Sequence, residues 1–289
     1  MLLTVLRGPF STRRSPFALF SAVMAIILLT FLTQIGGAVL WLAFGMGQIL
    51  SGRYGTGWKS SSLLCFLLIY SNISFLILPR IAPGFGRVAL NCFATTQAPY
   101  AANSPLYCLL NRHYVAPELK PLIEDLSAQV ARQYPGSITT YLDANFPFFD
   151  GFPLLPHKSH QDCRKLDLTL FYQEKSSGEK HLRAGGWFLG YWIFAPARIY
   201  ETSPACTKDG ILRWRMDWLQ GLFTDLALDH ERTRALLGFL IDDKGSRKQI
   251  GKVFLEPYLE KALGFNDARI RPAGCTAARH DDHIHIQLK

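Results

Sequence analysis

No charged residue occurs between Ser15 and Gly52, and none between Ser60 and Pro79, in a chain that is 18% charged overall. Each stretch reaches the roughly 20 apolar residues needed to cross a bilayer core. In the first, Phe17, Leu19, Val23, Ile26, Ile27, Leu28 and Leu29 leave no polar face. A membrane span is therefore expected rather than a pair of buried core helices. The run is longer than the apolar segment of about 7–15 residues in a cleaved signal, and it has no small-x-small end, so the chain is expected to stay anchored. Two spans are predicted, near 17–46 and 61–79, with Gly36 and Gly37 marking a kink or tilt.

Two spans place both ends of the chain on one side. Arg7, Arg13 and Arg14 precede the first, Arg53 and Lys59 lie between the spans, and Arg80 and Arg87 follow the second. By the positive-inside rule this favours a cytoplasmic C-terminal domain, and a third crossing within the first stretch would reverse it.

The net charge of +9 is scattered, with no basic motif interleaved with aromatics, so nucleic acid is not an expected partner. The six cysteines form no CxxC pair, which argues against a cysteine-rich zinc module. Cys65 falls within a span, and Cys92, Cys108, Cys163, Cys206 and Cys275 fix no redox compartment.

After the anchor (1–80), residues 81–105 carry Pro83, Gly84, Gly86, Pro99 and Pro105 and read as a linker. One domain is expected over 106–289. Leu119, Ile123, Leu126 and Val130 predict a helix within Pro117–Tyr134, with Pro117 or Pro121 in its first turn. A short strand is expected at Ser137–Leu142 and a clear one at Leu166–Tyr172, where Leu166, Leu168 and Leu170 alternate with Asp167, Thr169 and Phe171. Gly185–Tyr191, with Trp187, Phe188 and Trp192, reads as loop and strand. Trp218–Leu228, Thr233–Ile241 and Gln249–Leu263 read as helices, and Ile284–Leu288 as a final strand. The class is α+β.

Five of the eight histidines form two clusters: His157 and His160, then His280, His283 and His285. Asp167 lies seven positions after His160, on the strand face opposite Leu166 and Leu168. In the last strand His283, His285 and Gln287 share one face and Ile284, Ile286 and Leu288 the other. If the two strands are neighbours, two imidazoles and a carboxylate converge, a set that zinc enzymes use while leaving a fourth position to water.

The segment His157-Lys-Ser-His160-Gln-Asp-Cys-Arg-Lys-Leu-Asp167 resembles the first zinc motif of the LAS metallopeptidases, in particular the penicillin-insensitive murein endopeptidases. His280-Asp-Asp-His283-Ile-His285-Ile resembles their terminal strand motif, and D-Ala-D-Ala dipeptidases and the Hedgehog amino-terminal domain share the scaffold. The likeness covers about 111–289. It implies an antiparallel-sheet zinc domain of the Hedgehog/D-Ala-D-Ala-peptidase type in which His160, Asp167 and His285 hold Zn2+, with His157 as a further candidate ligand.

The same resemblance implies that Asp282 or His283 takes the proton of the attacking water, with His280 assisting. Arg112 or Arg132 would fill the place of an upstream arginine. The family's usual glycine three residues after the first ligand histidine is Cys163 here. A peptide or peptidoglycan substrate follows, and with it a domain on the outer side of the inner (plasma) membrane. The alternative is a non-catalytic zinc module that recognises a partner.

Overall fold

The computed structural model describes residues 16–155, 157, 159–191, 225–242, 249–274 and 279–289. The first apolar stretch forms two helices rather than one kinked span: α1 (Pro16–Thr33) and α2 (Gly36–Tyr54), which meet at Gln34. Gln34 has φ +68°, a left-handed conformation that reverses the chain. A Cβ on Gly37 would overlap Ile26 and Thr30, so α2 folds back along α1 with its glycines at the contact. The next helix, α3 (Trp58–Asn72), continues through a π turn (Ile73–Ile77) into α4 (Leu78–Ile81) and a 3-10 turn (Ala82–Phe85). It packs against α2 so closely that a Cβ on Gly47 would overlap the backbone of Ser62.

Among the buried residues of these helices are Gly36, Gly37, Ala43, Gly45, Gly47, Ser61 and Ser62, while Phe17, Phe20, Leu63, Leu64, Leu67 and Leu68 are exposed. Small residues thus sit at the helix contacts and large apolar side chains point outward. Pro16–Thr33 and Trp58–Phe85 are each long and apolar enough to cross a membrane.

The segment expected as a linker is part of the domain. It carries β1 (Val88–Ala89), which pairs with β3 (Tyr114–Val115), and β2 (Tyr100–Ala102), the first strand of the main sheet. Cys92 and Cys108 form a disulfide, Cys108 lying on α5 (Pro105–Leu109). Closing a loop of this length stabilises the fold by about 3 kcal/mol.

The main sheet has six strands in the order β2-β4-β5-β10-β8-β9: β4 is Thr139–Tyr141, β5 Lys165–Thr169, β8 Ile250–Phe254, β9 Ile270–Arg271 and β10 His283–Leu288. It is mixed, not purely antiparallel. β2 and β4 run parallel, as do β8 and β9. Each parallel pair is joined by a helical crossover, as parallel strands require: α6 (Leu119–Gln133) for the first and α8 (Pro257–Ala262) for the second.

Leu166, Leu168, Ile284 and Ile286 share one core with Ile123, Leu126 and Val130 of α6 and Leu236, Leu237 and Leu240 of α7 (His230–Asp242). Burying each such side chain contributes about 1.5–3 kcal/mol. α7 starts at Asp229, whose carboxylate accepts from the Arg232 amide at 3.0 Å.

Three expected elements differ. Gln249–Leu263 is not one helix: β8 occupies Ile250–Phe254 and only Pro257–Ala262 is helical. A register shift between β8 and β10 puts an extra residue at Gly251, so Ile250 and Val253 both face the core three positions apart. That bulge imitates a helical period. Leu226–Leu228 is a strand, β7, paired with β6 (Tyr172–Glu174), while 218–224 lie outside the described residues. Gly185–Tyr191 is loop throughout, and Trp192, Cys206 and Cys275 fall outside the described residues.

Candidate metal centre

The β5–β10 register places His285 directly opposite Asp167 and His283 opposite Thr169. Alternation then turns Asp167, His283 and His285 to the face away from the Leu/Ile core. His160 arrives from the loop ahead of β5, anchored where its Nδ1 donates to the Ala144 carbonyl at 2.9 Å. That bond leaves Nε2 with its lone pair, 3.1 Å from Asp167 Oδ1 and 3.1 Å from His285 Nδ1. His285 Nδ1 lies 2.8 Å from the same Oδ1.

These three atoms converge, and together they could hold a metal ion. Their separations are slightly tighter than the edge of about 3.3 Å in a tetrahedron with bonds of 2.0–2.1 Å. All three residues are at most 3% exposed, and His285 Nε2 has no hydrogen-bond partner.

Charge follows the same geometry. Burial alone would raise the Asp167 carboxyl, but His160 and His283 hold it well below the usual range, so it stays ionised. Burial lowers His285 to about 4, which keeps it neutral and ligand-competent at neutral pH. Burial acts the same way on His160, but the adjacent Asp167 charge outweighs it and moves this histidine upward.

A ring of polar groups fixes the ligands. The Tyr191 hydroxyl donates to Asp167 Oδ2 at 2.7 Å. His157 Nδ1 sits 2.8 Å from Asp143 Oδ2, so His157 borders the group without joining it. Arg112 Nε pairs with Asp143 Oδ1 at 2.6 Å. Tyr191 is delivered by a glycine-rich turn: Gly190 has φ +80°, and a Cβ there would overlap Leu142 and Asn103. Asn103 Nδ2 in turn donates to the carbonyls of Trp187 and Phe188 at 2.8 and 3.0 Å.

His283 points its Nε2 into the group, 3.8 Å from Asp167 Oδ1, while its Nδ1 contacts Asp282. Burial would lower its pKa, but Asp282 and Asp167 raise it to about 9. Asp282 precedes the strand and contacts the far side of this ring. His280 stacks on His283, with ring centroids 4.7 Å apart, and burial together with the His283 charge keeps it neutral. Of the two candidate arginines, Arg112 lies in the site's surroundings, committed to Asp143, and Arg132 is exposed on α6.

Sequence reasoning missed Asp143 and Tyr191. Neither lies in a histidine cluster; the run Gly185-Gly186…Gly190 was the available signal for the second. Cys163, standing where a glycine was expected, takes φ +53°, a conformation natural to glycine. Its amide bonds to Asn145 Oδ1 at 3.0 Å and its carbonyl to the Ala116 amide at 2.7 Å, which holds the turn. Burial raises its thiol, so it is no ready nucleophile. Cys92, Cys108 and His113 also lie within ligand distance of one another, but the two sulfurs are bonded together and are not available as thiolates.

No family model, no curated protein and no solved structure matches this chain.

Proposed function

We propose that the chain is a membrane-anchored zinc hydrolase of the LAS metallopeptidase type that cuts a peptide or amide bond, with peptidoglycan peptides as the substrate class. One observation carries this reading: the His160, Asp167 and His285 acceptors converge beside an imidazole, His283, that is backed by a carboxylate. His160, Asp167 and His285 would hold the zinc, and the two-imidazole, one-carboxylate set suits that metal. When bound, the ion lowers the pKa of water towards 7 and polarises the scissile carbonyl.

The chain's own groups do the rest. His283 Nε2 would be free to accept the proton of the attacking water once a cation held by Asp167 offsets the carboxylate charge that helps keep His283 protonated, and Asp282 would stabilise the imidazolium from the opposite side of the ring. The same proton then passes to the departing amine. Tyr191 fixes the outer oxygen of Asp167, and the Arg112–Asp143 pair carries that support outward. Neutral His280 packs behind His283 and spares it a second positive neighbour.

The fold of the anchor bears on the compartment. With α2 folded back along α1, three helices alternate in direction, so the α2–α3 turn lies at the end away from the domain. Arg53 and Lys59 then sit on the far side, against Arg80 and Arg87 on the near side. Arg87 is paired with Asp150. α2 is about 28 Å long, close to a bilayer core. A crossing by α2, in addition to the two candidate spans, would turn the positive-inside rule in favour of an extracytoplasmic domain, and the Cys92–Cys108 disulfide suits an oxidising compartment.

The test is incubation of the full chain with isolated peptidoglycan and mass analysis of the fragments. Cleavage is expected, and His283→Asn should reduce it by about 10²–10⁴ while leaving bound metal unchanged. Zinc and murein binding without any cleavage would favour the recognition module instead. A periplasm-active reporter fused after Lys289 is expected to be active; activity only of a cytoplasmic reporter would exclude intact murein as substrate.

A further inference from the structure

Where the anchor meets the domain, the chain shows an aromatic surface outside the metal centre that the core covers only in part, at Phe148. Phe85 packs edge-on against Phe148 and Phe149, with centroids at 4.8 and 6.1 Å. Phe149 is 61% exposed and Phe85 49%. On the same segment Phe152 meets Phe31 of α1, centroids 6.4 Å apart. Phe85 ends one candidate span and Phe31 lies in the other, so aromatic contacts join both spans to residues 148–152.

Its height relative to a bilayer follows from two facts. α1 is 18 residues long, or about 27 Å, so a span beginning at Pro16 ends at the far surface near Thr33 and Gln34. Gln34 Oε1 accepts from the backbone amide of Phe148 at 3.0 Å. The domain is tied to the same level elsewhere: Asn111 Nδ2 donates to the Thr33 carbonyl at 3.3 Å and to the Tyr70 hydroxyl at 3.1 Å, and that hydroxyl donates to the Leu109 carbonyl at 2.5 Å. These bonds fix the domain to the helix ends.

We infer that the Phe85–Phe148–Phe149 surface lies in the lipid of the bilayer interface, seating the domain on the membrane. This rests on the membrane anchoring proposed above. Phenylalanine rings on an apolar face bury at the boundary of headgroups and acyl chains, and exposure of the same surface to water would leave apolar area uncovered. The lipid is the occupant because the surface continues that of the spans. The seated segment also leads directly into the loop that supplies His157 and His160, so the metal centre is suspended from the membrane surface.

Photo-crosslinking tests this in the full chain, reconstituted in phosphatidylcholine nanodiscs. The photoreactive residue p-benzoylphenylalanine is placed at position 149, at position 64 on the outer face of α3, or at position 182, an exposed leucine of the domain. After irradiation, intact-mass analysis reads the fraction of chain carrying one added lipid. The inference expects adducts at 149 comparable with those at 64 and about tenfold above those at 182. Adducts at 64 with position 149 no higher than 182 would overturn the seating while leaving the anchor in place. No adduct at 64 would overturn the anchor, and the seating with it.

Discussion

His285 Nδ1 and Asp167 Oδ1 lie 2.8 Å apart as direct partners in the β5–β10 ladder, although 118 positions separate them in the chain. The register that sets this contact also sends Leu166, Leu168, Ile284 and Ile286 into the core. A slip of one residue would bury the site's polar groups in the core and expose the core's leucines and isoleucines to the site. Packing energy therefore holds the ligand geometry.

The Tyr191 hydroxyl bonds the oxygen of Asp167 that faces away from His160 and His285. Partners of this kind orient a ligand, and losing one costs about 10–100-fold in metal affinity. Tyr191→Phe should weaken zinc binding by that factor in a chelator-competition titration, with the circular dichroism spectrum unchanged. Unaltered affinity would show that Asp167 is held without it.

Arg112 and Asp143 form a buried pair, their side chains 10% and 2% exposed. Removing the cation leaves the buried Asp143 carboxylate with only His157 and the Tyr191 hydroxyl, so Arg112→Met should cost about 3 kcal/mol in denaturant unfolding of the detergent-solubilised chain. Arg132, exposed on α6, should tolerate the same change within about 0.5 kcal/mol. Equal effects at the two positions would contradict the placement of Arg112 beside the site.

What could be read in the sequence was whatever a local period or a residue cluster encodes. The alternation in Leu166–Thr169 and Ile284–Leu288 predicts which face carries Asp167, His283 and His285, and the structure adds that the two strands are neighbours. The helix at 119–133 follows from its apolar spacing. The hairpin at Gln34 was hidden because two helices and a tight turn built from Gln34 to Gly37 share one uncharged run. β8 was hidden by its bulge, and Asp143 and Tyr191 because single residues brought in by long-range packing leave no periodic mark.

His113 is 3% exposed, and burial lowers its pKa to about 4 despite a bond to the Tyr107 backbone. Its folded value lies below the ordinary 6.5, so the unfolded chain takes up the proton first as pH falls. Stability is therefore greatest above about pH 6.5 and declines down to about pH 4. Between pH 7 and 5 this histidine should account for a loss of about 2 kcal/mol. Urea unfolding at the two pH values should show a shallower pH dependence in His113→Gln; equal slopes would mean that the ring is charged in the folded protein.

The most direct measurement is the metal content of the full chain, purified in detergent without chelators and analysed by inductively coupled plasma mass spectrometry. Close to one zinc per chain is predicted, lost in His160→Ala and in His285→Ala while both variants keep the wild-type circular dichroism spectrum. A folded wild type that neither carries nor takes up a metal ion would contradict the account.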